Sequence, residues 1–271
     1  MGAEKSGMTT EEWRKVLTEG EGSVRLLRGM FRRVPSSPRC SMCLAPFRGV
    51  GGRVLRITGF APSRKNPLFC SMCFESAPHG GAEVDTGVLF ADVRGFTASS
   101  EHQAPEDVAR LLNRFYAVAT DALATRGAVI DKLVGDEVMA LFVPGFAGHH
   151  YLENMVDAAE ALLRAVGFGA GSEPWLPLGI GLDHGNAFVG NVGSGEVKDF
   201  TAIGDVVNTA ARLQAEAKPG QIVMSERLYE RIAPRFPGAR AVDLELKGKS
   251  EPVAARVVDF AATPAAVPMS H

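Results

Sequence analysis

Past residue 88, short apolar runs alternate with stretches of helical period, and this alternation constrains the fold more than any other feature of the chain. Residues 88–93 form a short apolar run that ends in a carboxylate, Asp92, just before Val93, as a buried strand would. Residues 105–125 carry Val108, Leu111, Leu112, Phe115, Val118 and Ala119 on one side of a helix. Two apolar runs within 128–142 are broken by Gly135-Asp136, a hairpin signal. Residues 151–166 read as a second helix. Residues 178–182 and 187–192 read as strands around a Gly185-Asn186 turn, and 206–218 as a helix stopped by Pro219-Gly220. Residues 222–224, 241–246 and 254–260 close the pattern as strands. Strands and helices in this order predict an α+β domain over 84–260, a mixed sheet with helices packed on one face. The tail, 261–271, is expected to fray.

The first 80 residues differ in character. They hold all four cysteines and carry 13 Lys/Arg against 6 Asp/Glu, whereas residues 81–271 carry 16 against 25. Such a split predicts a small basic module ahead of an acidic domain. Its charge suits nucleic acid or an anionic surface, but docking on the acidic remainder of its own chain is the favoured reading. Thr9 and Glu12 form a capping box ahead of Trp13, Val16 and Leu17, which predicts a helix over 10–18 ended by Gly20 and Gly22. A second, basic helix is predicted over 24–33, closed by Pro35 and Pro38. Residues 40–80, rich in Gly, Pro, Cys and Arg, read as a loop-built module without a hydrophobic core.

Cys40 and Cys43 form one Cys-x-x-Cys pair, Cys70 and Cys73 a second, with 26 residues between. Four thiolates fill the tetrahedral shell of a structural Zn²⁺. An iron–sulfur centre uses the same ligand set, and two disulfides are disfavoured in a reducing compartment. His79 is read as a loop residue. The apolar runs fall short of the roughly 18 residues of a membrane span, and residues 1–15 lack an apolar signal core. A cytoplasmic chain is expected.

Asp92 at a strand end and Asp136 at a hairpin tip suit a Mg²⁺–polyphosphate site, since Mg²⁺ takes few carboxylates plus phosphate oxygens and waters. Each could instead serve only its cap or turn. Phe90, Asp92, Gly95, Phe96 and Thr97; Asp131, Lys132, Gly135 and Asp136; Gly190 and Gly193; then Phe200, Thr201, Gly204, Asp205, Asn208 and Arg212 follow in order. Together they resemble the catalytic domain of the class III adenylate and guanylate cyclases, over roughly residues 86–260.

That resemblance implies a ferredoxin-like mixed sheet and a lyase that converts ATP to 3′,5′-cyclic AMP and pyrophosphate. It also implies two Mg²⁺ or Mn²⁺ per site, held by Asp92, Asp136 and the backbone of Val93, with Gly95, Phe96 and Thr97 around the phosphates. By the same resemblance Lys132 and Thr201 read the base, Asn208 orients the ribose, Arg212 stabilises phosphate charge, and Lys247 binds the terminal phosphates, with Lys249 competing for that role. Asp92 and Asp136 of one chain meet Lys132, Thr201, Asn208, Arg212 and Lys247 of the other, so a homodimer builds two sites. The rivals are a guanylate cyclase and a silent cyclase-fold dimer whose zinc module binds nucleic acid or protein. Nucleic acid is disfavoured, because only Phe47, Phe60, Phe69 and Phe74 could stack bases in the module.

Overall fold

The computed structural model describes residues 8–20, 22–34, 38–63, 69–75, 77–169, 173–194 and 197–260. At its centre β1 (Gly80–Val93) and β4 (Leu178–Ser194) lie antiparallel, paired from Gly80↔Asn191 to Val93↔Leu178. The hairpin of β2 (Val129–Val134) and β3 (Glu137–Phe142) extends the sheet beyond β1. On the other side β6 (Gln221–Ser225) runs parallel to β4, followed by β8 (Val253–Asp259) and β7 (Arg240–Leu244). A further strand, β5 (Val197–Ile203), folds back on the second half of β4. The result is an eight-stranded mixed sheet: the mixed α+β architecture is the one the alternation predicts, while β5 is a strand the sequence reading did not include.

Two local readings change. β1 begins at Gly80, because Ala82 and Val84 alternate inward with Glu83 and Asp85 and extend the ladder to β4. Gly185-Asn186 makes no turn: Thr86↔Gly185 and Asp85↔Asn186 keep the pairing continuous, so one long strand replaces two. The close approach to β1 supplies what a turn signal read locally could not.

One face of the sheet is covered by α6 (Pro105–Ala124), α8 (Tyr151–Ala165) and α10 (Glu226–Ile232). Phe115, Leu123, Met155, Leu162 and Leu228 from these helices bury against Leu89, Ile130, Phe142, Ile180 and Ile222 of the strands. α10 was not legible as a helix. It is short, and it starts where the Ser225 hydroxyl accepts the Leu228 N–H.

The opposite face is covered by α1 (Thr10–Glu19), the cysteine module and α9 (Asp205–Glu216). α1 opens on the Thr9–Glu12 capping box and stops at Gly20 (φ 79°). Gly22 does not end it but opens α2 (Gly22–Phe31), and the proposed Pro35 stop lies outside the described residues.

Residues 40–80 also depart from a loop-built module, for they contain α3 (Gly49–Ile57) and α4 (Ser71–Glu75). α3 holds three glycines, which disfavour a helix by propensity. Tertiary packing overrides this at Gly52, where a Cβ would lie 2.6 Å from the Phe47 carbonyl carbon. Nor is the module coreless. Trp13, Leu17, Phe31, Leu44, Phe47, Phe69 and Phe74 form one buried cluster with Val88, Phe90, Leu141, Val189 and Phe200 of the sheet. It docks on its own chain, but by apolar burial, which is proportional to area and indifferent to charge. Two shorter helices, α5 (Phe96–Ser100) and α7 (Pro144–Ala147), complete the fold.

Candidate active site and cysteine centre

The C-terminal end of β1 meets the β2–β3 turn, so Asp92 pairs in register with Glu137. Gly135 takes the left-handed φ of 58° that the turn needs, and the Tyr116 hydroxyl donates to its carbonyl at 2.5 Å, pinning the turn to α6. Burial, then the neighbouring charge of Asp92, push the Asp136 carboxyl up to about 6. Glu137 is raised by burial and by the same two aspartates. Among the described residues the balancing charge is Arg94, whose guanidinium pairs with Asp92 and also donates to the Ala215 carbonyl of α9 at 3.3 Å. Like charges gathered at a strand end with one cation to offset them suit a divalent ion. Val93 is buried beside Asp92, Gly95 is left-handed (φ 71°) and exposed, Thr97 is exposed, and Phe96 packs on the helix-covered core.

Lys132 and Thr201 are brought together by a third residue to which the sequence alone assigned no role. The Asp131 side chain is fully buried and accepts from Lys132 Nζ at 2.8 Å and from Thr201 Oγ1 at 2.7 Å. Lys132 Nζ also donates to Thr201 Oγ1 at 3.1 Å and lies 3.6 Å from Asp199. A register shift between Ile130 and Lys132 breaks the inward–outward alternation of β2 at this point, the usual way a bulge re-aims a side chain. Burial raises the Asp131 carboxyl despite the hydrogen bonds it accepts. Burial lowers Lys132, but the hydrogen bond to Asp131 and the charges of Asp131 and Asp199 more than offset this, so it stays above its ordinary range. Periodicity could not reveal this triad, because Thr201 lies 70 residues from Asp131 in the chain.

Asn208 and Arg212 sit one turn apart on α9, the first exposed and the second half-buried. α9 lies directly on β4: a Cβ at Gly181 would come within 2.2 Å of the Gln214 amide nitrogen. The 245–252 loop closes beside it, with left-handed Gly248 (φ 77°) next to the Arg212 guanidinium. Lys249 is held by Asp205 at 2.6 and 2.7 Å, whereas Lys247 is exposed on the same loop. This separates the two lysines that the sequence left in competition.

The four cysteine sulfurs converge from two segments of the module, all within 4.8 Å of one another. Cys43 and Cys70 Sγ are 3.7 Å apart. Four thiolates about 2.3 Å from one ion have sulfurs about 3.8 Å apart by tetrahedral geometry, so the set fits a single structural metal. Cys40 Sγ accepts the Cys70 amide at 3.2 Å, and Cys70 Sγ accepts the Cys73 amide at 3.4 Å. Burial raises the Cys40 thiol, but hydrogen bonds from the other three thiols outweigh it and hold Cys40 well below the ordinary range. Those bonds push Cys43 and Cys73 up in turn. His79 is exposed and lies outside the set. Phe47, Phe69 and Phe74 are buried and Phe60 is half-buried, so they do not form an open stacking platform.

The family described as the adenylate and guanylate cyclase catalytic domain matches residues 82–257. The chain belongs to this family. An adenylate cyclase of Anabaena cylindrica is 31% identical over 194 residues, 65% of this chain and 39% of that protein. The terminal-differentiation-specific adenylate cyclase of Dictyostelium discoideum is 33% identical over 206 residues, 73% of this chain and 10% of that protein. The chain thus spans well under half the length of these curated cyclases. Among solved structures, the guanylyl cyclase Cya2 superposes with a TM-score of 0.60 at 29% identity, covering 70% of this chain and 97% of that one. The adenylyl cyclase CyaB from P. aeruginosa superposes with a TM-score of 0.55 at 29% identity, covering 65% and 95%. Cyclases of both base specificities are therefore similar to this chain. No described helix is long and apolar enough to cross a membrane.

Proposed function

We propose that the protein is an adenylate cyclase, converting ATP to 3′,5′-cyclic AMP and pyrophosphate at two composite sites of a homodimer. The observation that carries the choice of base is the polarity of the Asp131–Thr201–Lys132 triad. An ionised carboxylate only accepts, so the single hydroxyl proton of Thr201 is spent on Asp131. Toward a nucleobase Thr201 then offers an acceptor and Lys132 a donor. Adenine presents the matching pair, an acceptor at N1 and a donor at its amino group. Guanine presents N1–H and O6, the reverse, and a polar site left unpaired discriminates strongly.

In this reading Asp92, Asp136 and the Val93 carbonyl hold two divalent cations, the ions that cyclases of this family use. Bound there, such ions lower the pKa of the ribose 3′-hydroxyl and offset charge on the triphosphate. Gly95, Phe96 and Thr97 line the phosphates. From the other protomer Asn208 orients the ribose, Arg212 and Lys247 meet the charge of the phosphates, and Lys132 with Thr201 holds the base. The O3′–Pα bond forms as the Pα–O–Pβ bond breaks, pyrophosphate leaves, and the hydroxyl proton passes to solvent. The cysteine set is assigned one structural Zn²⁺ per chain.

The test is cyclic nucleotide formation by the full chain with Mn²⁺ or Mg²⁺, ATP and GTP in parallel. Cyclic AMP should dominate, Asp92→Ala should lower it about a hundredfold or more, and Asp131→Asn should narrow the ATP preference. Dominant cyclic GMP would instead support a guanylate cyclase, the reading that the likeness to Cya2 favours. Silence with both nucleotides would leave a cyclase-fold dimer whose module binds a partner.

A further inference from the structure

A cavity of about 310 Å³ lies where the N-terminal helices meet the cyclase domain. One wall is α2, which presents Arg25, Arg28 and Arg32 at successive turns of one helix face. The other is the turn at Gly127, the α7 segment from Pro144 to Ala147, Gly148 and His149. The sole acidic residue among the lining groups is Glu19.

The three guanidiniums are answered by carbonyl oxygens. Arg25 Nη1 donates to Glu19 O at 3.2 Å, Arg28 Nη1 to Ser41 O at 3.2 Å and to Met42 O, and Arg32 to Thr125 O. Among the described residues none of the three pairs with a carboxylate. Arg28 is 7% exposed, and its Nη2 is buried with no hydrogen-bond partner. A buried cation in that position carries a desolvation cost that a nearby anion offsets. Arg25 and Arg32, both exposed, line the same cavity.

The walls are fixed by close packing. A Cβ at Gly145 would come within 2.2 Å of the Val16 carbonyl of α1, and one at Gly20 within 2.4 Å of the Gly145 carbonyl. Asn154 Nδ2 donates to Ala147 O at 2.8 Å and anchors the α7 segment from the other side. Planar guanidinium forks match phosphate oxygens in pairs, and the volume is at the small end of ligand pockets, about 300–1,000 Å³.

We propose that this cavity binds a small phosphate-bearing anion, clamping the cysteine module to the cyclase domain through Arg25, Arg28 and Arg32. Arg28 grips the Cys40–Cys43 knuckle and Arg32 the end of α6, so one ligand would bridge both units.

The test is thermal unfolding of the full chain, metal-loaded, against inorganic phosphate, with sodium chloride at matched ionic strength. The expected result is a saturable rise in Tm with phosphate beyond that with chloride. It should weaken at least about tenfold in midpoint concentration in Arg25→Ala and in Arg32→Ala, and persist in Arg212→Ala. The proposal is overturned if phosphate adds nothing beyond chloride. It is equally overturned if Arg25→Ala and Arg32→Ala respond like the parent, or if Arg212→Ala abolishes the effect and so places the anion in the active site.

Discussion

The two faces of the sheet are closed by different means. On one, α6, α8 and α10 lay mostly aliphatic side chains, with Phe115 among them, on Leu89, Ile130, Ile180 and Ile222. On the other, α1 and the cysteine module bring aromatic rings onto Val88, Phe90, Leu141 and Phe200, around four convergent thiolates. Phe69, next to Cys70, meets Phe200 edge-on with ring centroids 6.2 Å apart, and Phe200 precedes Thr201. The helix-covered face is thus a self-sufficient core. The module-covered face is a joint, built around a cysteine set that fits one metal ion, and it adjoins the residue assigned to base reading.

Removing the thiolates breaks the contrast most sharply. Cys40→Ser with Cys70→Ser should release one metal ion per chain, read by elemental analysis of the purified protein. The loss approaches the free energy of a structural zinc site, on the order of 10 kcal/mol, and should melt the module while far-UV dichroism keeps the α6 and α8 signal. If the protein as purified holds no zinc or iron and the variant melts unchanged, the joint is no metal joint.

Single side chains sharpen the same point. Phe69→Ala should cost about 3–5 kcal/mol in the metal-loaded protein, and much less once chelation has loosened the module, a coupling that a double cycle in urea measures. Leu123→Ala on the other face should cost about 2–5 kcal/mol whether or not metal is present. Equal metal dependence for the two would erase the distinction between the faces.

The smallest effect concerns the acidic turn. Asp136 is raised to about 6 by burial and by Asp92. Between the ordinary aspartate range and pH 6 the folded chain therefore binds more protons than the unfolded one, so stability falls as pH rises through that window. In chelated protein Asp136→Asn should raise Tm by about 2 °C at pH 7.5 and leave it unchanged at pH 4. A drop at pH 7.5 would mean that the ionised carboxylate stabilises the turn.

Much of the candidate site was legible because its carriers are local. A strand ending at Asp92, a hairpin tip at Gly135-Asp136, and Asn208 with Arg212 one turn apart need only short-range pattern, and each falls on the element expected of it. The contact of Asp131 with Thr201 was not legible, since Thr201 arrives from β5, 70 residues along the chain. That Lys249 pairs with Asp205 while Lys247 stands exposed on the same loop was likewise not legible.

By itself, then, the sequence determined the long helices and most of the strands of the cyclase domain, though not β5 or α10, together with the cap on α1 and the pairing of each cysteine knuckle, all set within a few residues. The tertiary structure decided that the two knuckles meet, that the module rests on the sheet through Phe69 and Phe200, that β4 runs unbroken through Gly185-Asn186, and that three arginines of α2 share a cavity with α7. Those outcomes rest on burial and close approach between segments far apart in the chain. Local period and turn chemistry carry no record of such contacts.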